Sequence, residues 1–210
     1  MTDEAFDRDF WERRWAQALR EHPDAVANRA PNAHLVAAVA DLEPGRALDA
    51  GCGHGAEAIW LAASGWRVTA VDFAATALHQ GQVTAREIGP DIAERIEWVE
   101  GDLATWEPPA RRFDLVISLY VHVAGTVHEM VGRLARAVAP GGTLFLVGHL
   151  PVDPATGEPS PAAGQVQVTE AEAVGALDAR DWDIVIAEER MRAKGDGVDV
   201  VVCARYHAEL

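Results

Sequence analysis

A glycine-rich turn between an apolar strand and a helix is the feature that most constrains this fold. In RALDAGCGHGAEAIWLA, residues 46–62, Gly51, Gly53 and Gly55 alternate directly after the apolar run and directly before a helical pattern. Glycine loses more backbone entropy on folding than other residues, so three in one turn indicate a tight bend or the close approach of another group. In an open α/β sheet, ligands bind beside such turns, at the carboxyl ends of the strands.

Predicted strands and helices alternate along the chain. Apolar and β-branched runs predict strands at residues 46–50, 66–72, 95–102, 113–120, 143–149, 181–191 and 198–206. Helical periodicity predicts helices at residues 6–20, 32–42, 55–64, 74–89, 127–142 and 169–180. The order predicts a doubly wound, seven-stranded, mostly parallel α/β sheet of Rossmann-like form, with an antiparallel C-terminal hairpin and an N-terminal helical cap. We expect one domain over 1–210, with the cap at 1–44, the core sheet at 45–210 and an irregular loop at 150–168.

Composition narrows the range of partners. The 210 residues carry a formal net charge of −15, which disfavours nucleic acid and anionic membranes as partners. Two widely spaced cysteines form no metal-ligand pattern and are typical of free thiols in a reducing compartment. The acidic start, MTDEAFDRDFWERRW, has no apolar segment of the kind a secretory signal needs. We therefore expect a cytoplasmic protein that binds a small molecule, as a monomer or a dimer.

The residues around the glycines discriminate between cofactors. A phosphate-binding P-loop requires Lys followed by Ser or Thr, and nothing basic follows Gly55. A dinucleotide fold remains open, because Asp72 follows Gly51 by 21 positions and fits an acid that binds ribose. Asp49 favours another cofactor, since a carboxylate repels a pyrophosphate but attracts an ammonium group. S-adenosylmethionine (SAM) carries an ammonium, a sulfonium and a ribose, and no phosphate.

Together these pieces resemble the class I SAM-dependent methyltransferases. The matching stretches are LDAGCGHGAEAIWLA, WRVTAVDF, IEWVEGDL, FDLVISLYVHV and LARAVAPGGTLFLVGH, in this order, and the resemblance extends from about Phe10 to Tyr206. FWERRW and GWRVTAVDF look most like the small-molecule group near the tellurite-resistance and thiopurine methyltransferases. The resemblance implies the following cofactor contacts: Asp49, Gly51 and Gly53 at the methionine end, Asp72 at the ribose, Phe73, Asp102 and Leu103 at the adenine, and Ser118 with Leu119 under the methionine.

Each of these acids also has a simpler interpretation. Asp49 and Asp72 could cap the helices that follow them, and Asp102 could be a turn residue. Trp15, with Phe10 and Trp11, could form a lid whose rings meet the sulfonium, or could simply pack. The hypothesis of a cofactor site depends on three acids that end three successive strands.

The acceptor is expected near SLYVHVAG, at the end of the fourth predicted strand. Tyr120 and His122 are the candidate catalytic residues, with His122 as a possible base. His149 follows the next strand and could face the same pocket, whereas His54 is expected to be exposed. The histidines lack metal-ligand spacing, so no metal is expected. The leading function is methyl transfer from SAM, with S-adenosylhomocysteine (SAH) as product, to O, N, S or a soft inorganic atom. A nicotinamide-dependent oxidoreductase and a non-catalytic SAM-binding module are the alternatives.

Overall fold

A single mixed sheet forms the centre of the protein. The structure, a computed structural model, describes residues 7–122, 125–150, 157, 168–192 and 197–207. The strands are β1 (Arg46–Ala50), β2 (Arg67–Asp72), β3 (Ile96–Glu100), β4 (Phe113–Leu119), β5 (Val138–His149), β6 (Trp182–Met191) and β7 (Val198–Tyr206). They lie in the order β3-β2-β1-β4-β5-β7-β6, and only β7 runs against the others. The predicted doubly wound, mostly parallel sheet with a C-terminal hairpin is confirmed.

Helices cover both faces of the sheet. They are α1 (Arg8–Glu21), α2 (Pro23–Ala27), α3 (Ala33–Val39), α4 (Ala56–Ala63), α5 (Ala75–Ile88), α6 (Pro90–Ala93), α7 (Val127–Ala137) and α8 (Glu170–Gly175). Leu35, Leu61 and Leu78 bring α3, α4 and α5 into one hydrophobic cluster. Met130 and Leu134 place α7 in the other cluster, on the opposite face. Central strands buried on both faces explain the near-continuous apolar runs in the sequence.

The helix predicted over 127–142 is wrong at its C-terminal end. Helix α7 ends at Ala137, and β5 begins at Val138, which pairs with Phe113 of β4. The ladder then resumes at Thr143 opposite Leu115, so the Pro-Gly-Gly segment forms a bulge rather than a helix end. Val138 is buried there, and the strand position suits a β-branched side chain better than another helical turn.

Other differences are small. Helix α8 ends at Gly175, five residues before the predicted end, and the short helices α2 and α6 were not predicted. Asn32 caps α3 as expected, because its side chain accepts from the backbone N–H groups of His34 and Leu35. Most of the predicted irregular loop over 150–168 lies outside the described residues, as do residues 1–6 of the predicted cap.

The order of the strands fixes where a ligand can approach. Strand β1 lies between β2 and β4, so the chain leaves β1 and β4 toward opposite sides of the sheet. The carboxyl ends of these two strands therefore border the crevice typical of doubly wound sheets. The glycine turn follows β1, and Tyr120 follows β4, so both reach this edge.

Candidate active site

The glycine turn bends sharply and lies against two other segments. Gly51 and Gly53 have φ angles of +82° and +53°, a region that favours glycine. A Cβ on Gly51 would overlap the side chain of Val121, which follows β4. A Cβ on Gly53 would lie 2.6 Å from Cζ2 of Trp15 on α1. The turn therefore requires glycine both for its backbone geometry and for close approach.

Asp49 is a buried carboxylate with no cationic side chain paired to it in the part of the chain that the structure describes. Its side chain lies at the end of β1 with 2 % exposure, and Oδ2 is buried with no hydrogen-bond partner among the residues that the structure describes. Burial, followed by the charges of Glu57 and Asp72, raises the pKa of Asp49 well above its ordinary value. The backbone N–H of Ala58 in the first turn of α4 opposes that rise only in part. Capping of α4 therefore accounts for at most one of the two Asp49 oxygens.

Two more carboxylates lie close to the same turn. Asp72 ends β2, and its two oxygens accept from the backbone N–H groups of Gly53 and Ala74, each at 2.8 Å. Burial raises the pKa of Asp72 despite these bonds. Burial also raises the pKa of Glu57 in α4, although the Arg29 charge and the backbone N–H of Asn32 oppose it. The result is a local concentration of negative charge around the turn.

The other predicted cofactor contacts extend along the same edge. Phe73 is half-buried after β2, and Leu103 is buried in the cluster under α7. Asp102 is exposed, and its Oδ1 accepts from the backbone N–H of Ala104 at 2.9 Å, as a turn residue does. Ser118, near the end of β4, is buried and its Oγ has no partner among the described residues. The structure brings these positions to one edge of the sheet.

Helix α1 lies against this edge and contacts it at several points. Trp15 lies over Gly53, and its ring centroid is 5.1 Å from that of His54. Trp11 stacks with His122, with centroids 6.2 Å apart and planes 6° apart. The Glu12 carboxylate accepts from the backbone N–H of Thr76 at the start of α5. The N-terminal helix therefore lies across the region predicted for the cofactor and the acceptor.

His54 differs from its prediction. The sequence led us to expect an exposed side chain, but His54 has 7 % exposure beneath α1, and neither ring nitrogen has a partner among the described residues. Burial and the Arg29 charge lower its pKa to about 4, so the ring is neutral at neutral pH. The contact with Trp15 covers a loop position that looks solvent-accessible in sequence alone.

On the acceptor side, Tyr120 is held by hydrogen bonds. Its φ angle of +57° is unusual for a residue other than glycine, and its backbone N–H still donates to Val147 at 2.8 Å. The hydroxyl donates to Oδ2 of Asp199 at 2.7 Å and accepts from Asn32 at 3.0 Å. Burial and the Asp199 hydrogen bond raise the pKa of Tyr120 above its ordinary value, so the phenol stays protonated at neutral pH.

Asp199 joins the groups on this side. It lies on β7 with 1 % exposure, and its Oδ1 accepts from Nε of Arg192 at 2.8 Å. Burial would raise the pKa of Asp199, but its hydrogen-bonding neighbours and the Arg192 charge hold that pKa below the ordinary value. A guanidinium nitrogen of Arg192 also lies within hydrogen-bonding distance of Nδ1 of His149. The His149 ring stacks on Tyr120, with centroids 4.3 Å apart.

Sequence reasoning missed Asp199, Arg192 and Glu57. Asp199 did leave a signal, because it is the single acid inside the apolar run 198–203. A charged residue in a strand buried on both faces usually has a polar partner. Arg192 has no such signal in the sequence, because its position beside His149 depends on how the C-terminal hairpin joins the sheet.

The described residues contain neither a metal-binding cluster nor a membrane-spanning helix. No group of three or more His, Cys, Asp or Glu side chains among them is arranged to hold a metal ion. Within the same part of the chain, no helix combines the length and apolar character needed to cross a bilayer.

Comparisons with known proteins agree with the fold and the glycine turn. Residues 47–142 match the family model described as a methyltransferase domain. The first curated relatives are uncharacterized mycobacterial methyltransferases, 39 % identical over 101 residues, and the chain spans about half (48 %) of their length. A probable thiol methyltransferase 2 of Arabidopsis thaliana is 30 % identical over 153 residues, covering 71 % of this chain and 65 % of that protein.

Solved structures share the fold at low identity. TehB from Haemophilus influenzae has a TM-score of 0.69 and 19 % identity, over 90 % of this chain and 65 % of that chain. The 1,6-didemethyltoxoflavin-N1-methyltransferase of Burkholderia thailandensis, with bound 1,6-didemethyltoxoflavin and SAH, has a TM-score of 0.65 and 20 % identity, over 94 % of this chain and 87 % of that chain. The match of residues 47–142 to the methyltransferase domain, together with the seven-stranded sheet, supports placing this chain with the class I SAM-dependent methyltransferases.

Proposed function

We propose that this protein transfers a methyl group from SAM to a small-molecule acceptor. The observation that carries the proposal is the buried Asp49 carboxylate, whose Oδ2 has no partner among the described residues. A buried carboxylate with a raised pKa and no cation beside it is costly, and a cationic ligand relieves that cost. The ammonium of SAM supplies such a charge.

The chain's other residues fit the rest of that cofactor. In the proposal, Gly51 and Gly53 let the methionine part approach the backbone, and Ser118 offers an unused hydroxyl beneath it. Asp72 binds the ribose hydroxyls, and Phe73, Leu103 and Asp102 border the adenine. Trp15 and the rest of α1 exclude water from above.

When bound, SAM supplies an electrophilic methyl group on its sulfonium. The chain's task is to align the acceptor with that group and to take up a proton where the acceptor has one to lose. His122 is the proposed base, because it lies after β4 and stacks on Trp11 of the overlying helix. Tyr120 is proposed to position the acceptor through its ring, which these two hydrogen bonds hold in place, because its hydroxyl proton is already donated to Asp199.

A small-molecule acceptor in the cytoplasm is also part of the proposal. The net charge of −15 opposes binding to nucleic acid, and the relative named for thiol methylation supports a small acceptor. The shared fold of TehB supports the narrower proposal that this chain resembles the tellurite-resistance and thiopurine group. Buried Cys52 and Cys203, both free, are consistent with a reducing compartment.

The test is calorimetric titration of the purified protein with SAH, with NADH as the parallel ligand. We expect one SAH site per chain and no binding of NADH, because Asp49 repels a pyrophosphate. Binding of NADH but not SAH would favour the oxidoreductase alternative. SAH binding without turnover on thiols, amines, phenols, carboxylates, selenite and tellurite would favour a non-catalytic SAM-binding module. The Asp72→Ala variant should lose SAH affinity, whereas Asp114→Ala, at the opposite end of β4, should not.

A further inference from the structure

We propose that His149 donates a hydrogen bond from Nε2 to the methyl acceptor, and that Arg192 and Asp199 fix it in that tautomer. The acceptor class that follows is a compound with an oxygen or nitrogen lone pair near the methylated atom, such as a carboxylate, phenolate or carbonyl. This inference rests on the proposed function for the identity of the site. The tautomer itself does not depend on it.

The position of His149 comes from the sheet. His149 ends β5 and lies opposite Asp199 in the antiparallel pairing of β5 with β7. Its ring stacks on Tyr120 at the end of β4, and its centroid is 6.4 Å from that of His122. His149 therefore lies at the same carboxyl edge as the two residues predicted to face the acceptor.

The tautomer follows from which group contacts Nδ1. A guanidinium has donors only, so the Arg192 nitrogen beside Nδ1 requires Nδ1 to accept. Nδ1 is also 3.6 Å from Oδ1 of Asp199, which is too long for a hydrogen bond. A neutral imidazole carries one proton, and with Nδ1 accepting, that proton is on Nε2.

With its proton on Nε2, the His149 ring can donate a hydrogen bond to a bound methyl acceptor. The His149 side chain is 26 % exposed, and its contacts with Arg192 and Asp199 both use Nδ1 rather than Nε2. The Asp199 oxygens accept from Tyr120 and Arg192, and the nearer one lies farther from Nδ1, at 3.6 Å, than the Arg192 nitrogen does. Asp199 is thus a positioning residue that acts through Arg192, and His149 is a hydrogen-bond donor rather than a base.

The rival arrangement is an aspartate–histidine pair. If Nδ1 carried the proton and donated to Asp199, Nε2 would have a free lone pair and could act as a base. The two arrangements differ in the location of one proton. Nuclear magnetic resonance of the histidine nitrogens separates them without a substrate.

The first experiment is a two-bond ¹H–¹⁵N correlation spectrum of the full-length protein at neutral pH. The His149 signal is identified by its loss in His149→Phe, which keeps a ring against Tyr120. We expect the Nε2–H pattern. An Nδ1–H pattern or a doubly protonated ring would overturn the proposal.

A conservative variant tests the cause. Arg192→Lys keeps a positive charge for Asp199 but lacks the second arm that reaches His149. We expect its spectrum to shift toward the Nδ1–H tautomer, while Arg190→Lys, a surface arginine of β6 paired with Glu188, leaves the spectrum unchanged. An unchanged tautomer in Arg192→Lys would show that Arg192 does not fix the ring. If that variant does not fold, the wild-type spectrum still decides the proposal.

The acceptor class is tested with benzoate and benzylamine as probes, with and without SAH. Benzoate should move the His149 Nε2 resonance, and benzylamine, which offers an ammonium, should not. His149→Phe should weaken benzoate binding about tenfold, the loss expected for one hydrogen bond to a charged group. No movement with benzoate would overturn the acceptor class. Failure to bind SAH would instead contradict the proposed function and leave the tautomer result standing.

Discussion

Asp49 and Asp199 are equally buried carboxylates at the same edge of the sheet, and their surroundings are opposite. Asp199 accepts hydrogen bonds from the Arg192 guanidinium and the Tyr120 phenol, and its pKa is lowered. Asp49 has two neighbouring carboxylates, a raised pKa and an oxygen without a partner among the described residues. The first is complete within the chain, so it can serve as a scaffold. In our proposal, the second is completed by the cationic group of a ligand.

Among the variants that distinguish the Asp199 and Asp49 sites, Asp199→Asn should have the largest effect, a loss of stability. An amide leaves Arg192 without a counter-charge, and breaking a buried pair typically costs 3–5 kcal/mol. Because Arg192 is 26 % exposed and can be hydrated, we expect a loss of about 2–3 kcal/mol in the free energy of unfolding. Urea denaturation measures it. The dissociation constant for SAH should stay within about twofold of wild type, and a large change would mean that the two regions are not separate.

Asp49→Asn should have the opposite effects: it should weaken SAH binding and should not destabilise the ligand-free fold. Loss of a charge-assisted contact worth about 1.5–3 kcal/mol weakens SAH binding by roughly 10- to 100-fold. The ligand-free variant should melt at a higher temperature than wild type, because a buried charge and its repulsion are gone. Calorimetric titration and thermal denaturation check both, with Asp114→Asn as a matched control on an exposed carboxylate. A variant that melts lower and binds SAH normally would contradict the comparison.

The positions of Asp49 and Asp72 near strand ends could be predicted from the sequence, whereas the contacts of Asp199 could not. The strand ends that position Asp49, Asp72 and the glycines lie only a few residues away in the sequence. The local sequence pattern is therefore enough to predict where these residues lie. The Asp199 network depends on β7 entering between β5 and β6 and on the register that places Asp199 opposite His149. Such a register is set by the whole sheet and has no local signature.

The same limit explains the errors made elsewhere. The Pro-Gly-Gly segment at 140–142 looked like a helix end, and only the pairing of Val138 with Phe113 shows that it is a bulge. His54 looked exposed because the helix that covers it lies far away in sequence. Element types followed from periodicity, whereas contacts between distant segments did not.

The pH dependence of SAH binding should sharpen the comparison further. Carboxyls with raised pKa values bind more protons in the folded state, so the ligand-free fold loses stability as the pH rises above the ordinary value of 3.8 toward the raised values of Asp49 and Asp72. In the proposal, the ammonium group of SAH binds Asp49 in its ionised form. SAH affinity should therefore increase with pH over that interval.

Titrations across a pH series test this expectation. Asp49→Asn should flatten the dependence, since the most strongly perturbed carboxyl is removed. Asp199 has a lowered pKa, so the stability it contributes is lost only as the pH falls below 3.8. A dependence of equal size in wild type and Asp49→Asn would assign the titration to another group.

The smallest effect should come from Trp15→Phe. Trp15 contacts Gly53 from α1, outside the charged cluster, and phenylalanine keeps an aromatic face while shortening the reach. We expect SAH affinity to fall about three- to tenfold, the size of a lost packing contact of about 1 kcal/mol. Trp60→Phe on α4 is the control for a half-buried tryptophan elsewhere. If Trp15→Phe and Trp60→Phe bind SAH alike, α1 packs on the turn without contributing to the cofactor site, and the negative charge around Asp49 would carry cofactor binding without it.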